Sequence, residues 1–162
     1  MTSFLYRAPS GVAGDVTRPD DTVVEPGLLN AAQAPTAFGA PVKLVSGKFE
    51  KIAASDAAAV FAGILSRIAP SIAGDTAQTF AGGTPNTDSV QGIVVEGYVN
   101  VVCTIGTPVR GGVVYMRVTA ASGKAVGDLE ATADGANNVA LTGVTWAIDG
   151  KDSSNIAEIR IK

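Results

Sequence analysis

Tyr98-Val99-Asn100-Val101-Val102-Cys103-Thr104-Ile105 alternates, with Val99, Val101, Cys103 and Ile105 on one face. Successive strand side chains point to opposite faces, so the run reads as a strand with one side in a core. The same period recurs on both sides of it. Val114, Met116 and Val118 share a face, while Tyr115, Arg117 and Thr119 point the other way. At the C-terminus Ala157, Ile159 and Ile161 alternate with Glu158, Arg160 and Lys162, a half-buried strand with a charged outer side. Val42, Leu44 and the pair Phe49/Ile52 flank Ser46-Gly47, a turn signal between strands. Asp134-Gly135 marks another turn, and Asp149-Gly150 follows the run Val144 to Ile148. Turn signals at this spacing belong to sandwiches and barrels.

Composition agrees. Hydrophobic residues make up 46% of the 162-residue chain but aromatics only 6%, so the core must be built from Val, Ile, Leu and Ala. With 19 glycines and many Val and Thr, strands joined by tight turns are favoured over helices. The fold class expected is all-β: a small β-barrel or jelly-roll-like sandwich with an extended N-terminal arm and at most one short helix. That helix is a short turn over Ser55 to Ala59, followed by a buried strand from Val60 to Ile68. Gly63 and Pro70 weigh against anything longer. Residues 70–89, rich in Gly, Ala, Thr, Ser and Pro, form a candidate contact loop.

The chain divides near Phe38. Five of the 8 prolines, Pro9, Pro19, Pro26, Pro35 and Pro41, lie within the first 41 residues, and none follows Pro108. Each removes a backbone donor and pushes its predecessor towards extended conformations. Residues 1–38 therefore read as an extended arm and 39–162 as the β-rich domain. Fully stretched, the arm reaches roughly 100 Å or more at ~3.3 Å per residue. Its apolar spots, Phe4, Leu5, Tyr6, Val23, Val24, Leu28 and Leu29, are candidate partner-binding anchors that order against a neighbouring subunit. A disordered tail is the plainer alternative.

Most catalytic constellations fail on residue type. With no histidine, Ser-His-Asp and Cys-His systems and His-ligated zinc are excluded, and one cysteine cannot make a thiolate cage. Cys103, in its apolar run, reads as an inert buried thiol. Ser122-Gly123-Lys124 resembles a phosphate loop only superficially: Val118 holds the first glycine position and Ala125 replaces the metal-binding hydroxyl. Asp149, Asp152 and Asn155 fit a turn better than a calcium loop. Catalytic, cofactor and metal sites are thus all assigned as none, and an enzyme working through carboxylates alone ranks last. The net charge of −3, with basic residues scattered singly, argues against nucleic acid. No apolar run nears the ~20 residues of a membrane span, and the start lacks the pattern of a signal peptide. Synthesis in a reducing cytoplasm is expected.

Three stretches resemble bacteriophage capsid cement (decoration) proteins. One is Phe38-Gly39-Ala40-Pro41-Val42-Lys43-Leu44, with Ala53-Ala54-Ser55-Asp56 and Phe61-Ala62-Gly63-Ile64-Leu65 after it. Another is Val90 to Val101 running into Gly106 to Tyr115. The last is the Gly123/Gly127 turn region leading to Gly143–Ile148 and the closing Ile156–Ile161 strand. The resemblance implies a virion protein, made in the host cytoplasm and placed on the outer capsid face. It implies that the major capsid protein and a second copy of the chain (a homodimer or homotrimer at a symmetry axis) are the partners, with no cofactor, no nucleic acid and no membrane. A phage fibre or adhesion module with a β-rich receptor-binding domain is the alternative, since it shares this composition.

Overall fold

Fifteen residues of continuous strand, Gln91–Ile105, form the spine of the molecule. The computed structural model describes residues 11–67 and 84–162. In chain order the strands are β1 (Val23–Gly27), β2 (Pro41–Val45), β3 (Lys48–Lys51), β4 (Phe61–Leu65) and β5 (Gln91–Ile105), followed by β6 (Val113–Arg117), β7 (Leu129–Glu130), β8 (Asn138–Trp146) and β9 (Ile156–Ile161). The only helical elements among the described residues are short 3₁₀ turns.

The second half of β5 belongs to a closed barrel. Its order is β5-β7-β6-β8-β9, and β9 returns to β5 through the register Gly97↔Ile161 to Val102↔Ile156. The β5–β7 pair is parallel; the others are antiparallel. The five strands thus pair around a complete ring. The first half of β5 belongs to a flanking antiparallel sheet of order β3-β2-β4-β5-β1. Of the two architectures expected, the barrel is the one realised.

Each half has its own core. Val99, Val101 and Cys103 point into the barrel with Val114, Met116, Trp146 and Ile159, all essentially inaccessible. Each such side chain contributes about 1.5–3 kcal/mol of transfer free energy. Trp146 keeps its indole N–H satisfied by donating to the Val113 carbonyl at 3.1 Å. Under the flanking sheet Leu29, Phe38, Val42, Phe49, Leu65 and Ile93 form a second cluster.

The β2–β3 hairpin turns on Ser46-Gly47, with φ of 50° and 80°. Two left-handed residues give the loop the twist that antiparallel strands need. The helical turn expected over Ser55 to Ala59 is instead a 3₁₀ turn at Ala58–Val60. Ser55 takes φ 64° and caps nothing, whereas the Asp56 carboxylate accepts the Ala53 N–H at 2.8 Å and binds Lys43 at 2.8 Å. The strand after it runs Phe61–Leu65; Ile68 lies outside the described residues, as does most of the candidate contact loop.

Two outward assignments are corrected. Arg117 is fully buried, and Glu158 is only 7% exposed. In each case the second face of the strand is covered: Arg117 by Glu130 of β7 and Asp134 of the turn beyond it, Glu158 by residues 17 and 18.

Candidate docking surface

Residues 14–27 lie along β5, interrupted by the 3₁₀ turn at Pro19–Asp21. The Gly14 N–H donates to the Asn100 carbonyl at 2.7 Å, the Asn100 N–H to Asp15 at 2.9 Å, and the Thr17 N–H to Tyr98 at 3.3 Å. Val16 forms a bridge with Val99, and β1 then pairs with the start of β5. Thus the segment lines an edge of β5 that β7 takes over only from Cys103.

Side chains lock it there. Arg18 lies over the Tyr98 ring, 3.9 Å from its centroid, and binds Glu158 at 3.1 Å; the Thr17 hydroxyl donates to the same carboxylate. The Thr22 hydroxyl accepts the Tyr98 N–H at 3.0 Å and donates to the Arg18 carbonyl at 2.7 Å. Gly97 permits this approach. It has φ 107°, and a Cβ there would stand 2.4 Å from the Asp21 carbonyl oxygen and the Thr22 Cα.

The anchoring displays an apolar row. Val23 (49% exposed), Val24 (43%) and Leu28 (45%) stand on or beside edge strand β1. Pro26 in this strand has no N–H to offer an added strand, which disfavours indiscriminate edge pairing. Leu29 is different: at 2% exposure it belongs to the chain's own core beside Phe49. Phe4, Leu5 and Tyr6 lie outside the described residues. The structure therefore brings three of the seven anchor candidates together at one edge.

A buried polar cluster escaped the sequence pattern. Arg117 donates to Glu130 through Nε at 2.6 Å and Nη2 at 3.1 Å, and to Asp134 at 2.5 Å. Asn138 donates to Glu130 at 2.6 Å, and Lys124 reaches Asp134 at 3.1 Å. The hydrogen bond from Arg117, with that from Lys124, holds the Asp134 carboxyl down at about 2. The same two carboxylates push the Arg117 guanidinium further towards its charged form. Every donor faces an acceptor, which is the arrangement of a structural brace. The only hint in the sequence is an Arg on the polar side of a strand with acids in the next turns.

The motifs weighed for chemistry have structural duties. Lys124 is turned to Asp134 rather than to an open phosphate cradle. Asp152 accepts the N–H groups of Ser154 and Ile156, and Asp149 accepts that of Arg110, so both close turns. No group of three or more metal-ligating side chains occurs among the described residues. Burial raises the Cys103 thiol above its ordinary range, which keeps it protonated and unreactive.

The comparisons with known proteins agree with this architecture. A chain in a solved structure titled "The capsid of Myoviridae Phage XM1" has a similar fold, with a TM-score of 0.67 at 17% identity, over 99% of this chain and 95% of that one. No curated protein matches. The family model described as XM1 gp53 minor capsid protein matches residues 1–161. With that match running essentially end to end, the chain belongs to the XM1 gp53 minor capsid protein family.

Proposed function

We propose that this capsid protein acts as a cement: it binds the outer face of a phage shell and clamps adjacent major capsid proteins. The observation that carries the reading is the row of Val23, Val24 and Leu28, held exposed on an edge strand that is itself tied to the barrel. Apolar side chains on a rigid support lose little entropy when a partner covers them. The N-terminal arm, with Phe4, Leu5 and Tyr6, extends the grip to a neighbouring subunit, and copies associate around a symmetry axis. Many modest contacts repeated over a lattice then resist internal pressure through avidity. The match to a capsid family weighs for this reading over a fibre module.

Purified protein added to undecorated mature shells should bind saturably and raise their resistance to heat or chelator. Val23→Asp combined with Val24→Asp should weaken binding while the free protein melts as before, because both side chains are exposed. Undiminished binding by that variant would remove β1 from the interface; no binding by the wild-type protein would remove the cement role.

A further inference from the structure

Two hollows of opposite charge lie side by side and share Tyr98 and Arg160 in their walls. The first is lined by Asp20, Asp21 and Glu96, with Val23 at its rim. The second holds Arg110, Arg160 and Lys162 and no acid. All six charged side chains are exposed, and none forms an ion pair among the described residues. In a chain of net charge −3, a hollow lined by three cations and no acid stands out, with Arg160 on the wall it shares with the acidic one.

Their support is rigid. Tyr98 and Arg160 are directly paired across β5 and β9, and Arg160 also lies 5.4 Å over the Tyr98 ring. The Arg110 N–H is fixed by Asp149 at 2.9 Å, and the adjoining Gly111 N–H by the Trp146 carbonyl at 2.8 Å. On the acidic side, Thr22 ties the turn at Pro19–Asp21 to the Tyr98 backbone.

A patch with an acidic half and a basic half is complementary to itself. In a two-fold dimer the same patch appears on both partners, rotated by half a turn, so that each acidic half meets a basic one. We propose that this face docks a second copy of the chain across a two-fold axis near Tyr98, with Asp20, Asp21 and Glu96 of each copy against Arg110, Arg160 and Lys162 of the other. Tyr98, common to both hollows, stands at the centre. This deepens the self-association included in the cement reading and rests on it, but it concerns the free protein, so its failure leaves shell binding open.

Sedimentation of two charge-reversed variants tests it. Asp20→Lys with Asp21→Lys leaves Glu96 as the one acid on a predominantly basic face; Arg110→Glu with Lys162→Glu leaves Arg160 as the one base on a predominantly acidic face. The substituted side chains are exposed and unpaired, so both variants should keep the wild-type circular dichroism. Wild-type protein should reach dimer mass at low salt and dissociate as salt shortens the screening length from ~10 Å at 0.1 M to ~3 Å at 1 M. Each variant alone should self-associate more weakly by more than about tenfold, since like charges then face each other. An equimolar mixture of the two should regain dimer mass. Monomeric wild-type protein at low salt, a trimer in place of the dimer, variants that associate as the wild type does, or a mixture that stays monomeric would each overturn the proposal.

Discussion

The guanidinium of Arg117 is gripped by both carboxylate oxygens of Glu130, and neither side chain reaches solvent. Removing one partner of such a pair strands a buried charge, at a cost of about 3–5 kcal/mol. Arg117→Met or Glu130→Met alone should therefore lower the free energy of urea unfolding by that order. The double variant with Met at both positions should lose less than the sum of the two. Strict additivity in this cycle would show that the bidentate contact is not what couples them.

The same cluster sets an acid limit. Asp134 has its pKa lowered to about 2 in the folded protein, against about 3.9 for an unfolded aspartate. A depressed carboxylate contributes stability that is fully present above the unfolded value and is lost as pH falls towards the folded one. The thermal midpoint should accordingly drop between about pH 4 and about pH 2. Asp134→Asn should start lower and show a shallower fall across that window. A variant curve parallel to that of the wild type would rule Asp134 out as its source.

Gly97 and Gly47 both have positive φ, at 107° and 80°, but only Gly97 is hemmed in. Gly47→Ala should pay only the backbone strain, about 1 kcal/mol. Gly97→Ala must also push residues 21 and 22 off β5, so its loss should exceed that of Gly47→Ala. Brief proteolysis should then cut the variant within residues 11–22 while the wild type resists. Equal losses at the two positions would mean that the N-terminal segment is not held by this contact.

Cys103 offers a probe of barrel opening. Its side chain is inaccessible and burial raises its pKa, so an aromatic disulfide reagent should label the native protein no faster than the barrel opens. Labelling should accelerate in step with denaturant unfolding. Rapid labelling in native buffer would show that the barrel wall breathes near β7.

Local signals were well written in the sequence. The hairpin at Ser46-Gly47 and the inward row of Val99, Val101 and Cys103 both follow from short-range chemistry, turn conformation in one case and period-2 alternation in the other. Alternation shows which residues differ in polarity, but not what covers the polar side. Arg117 meets Glu130 13 residues on, and Glu158 meets Arg18 across 140, separations that no local window contains. Prolines made residues 1–38 read as extended, yet extension alone does not distinguish a free strap from a strand laid on a sheet. Pro26 sits in β1 because an edge strand tolerates the missing donor. Of the anchor candidates, Leu28 and Leu29 are neighbours in sequence on opposite sides of the backbone, so one is exposed and the other buried. A list of apolar residues cannot separate such a pair without the strand direction.

Because the fifteen residues of β5 serve both sheets, the molecule has no seam between its two cores. Tension applied at the β2–β3 hairpin passes through β4 into β5 and enters the barrel wall along covalent backbone, not across a sliding contact. Were the proposed cement role to place the protein under load, that continuity would couple the yielding of its two halves.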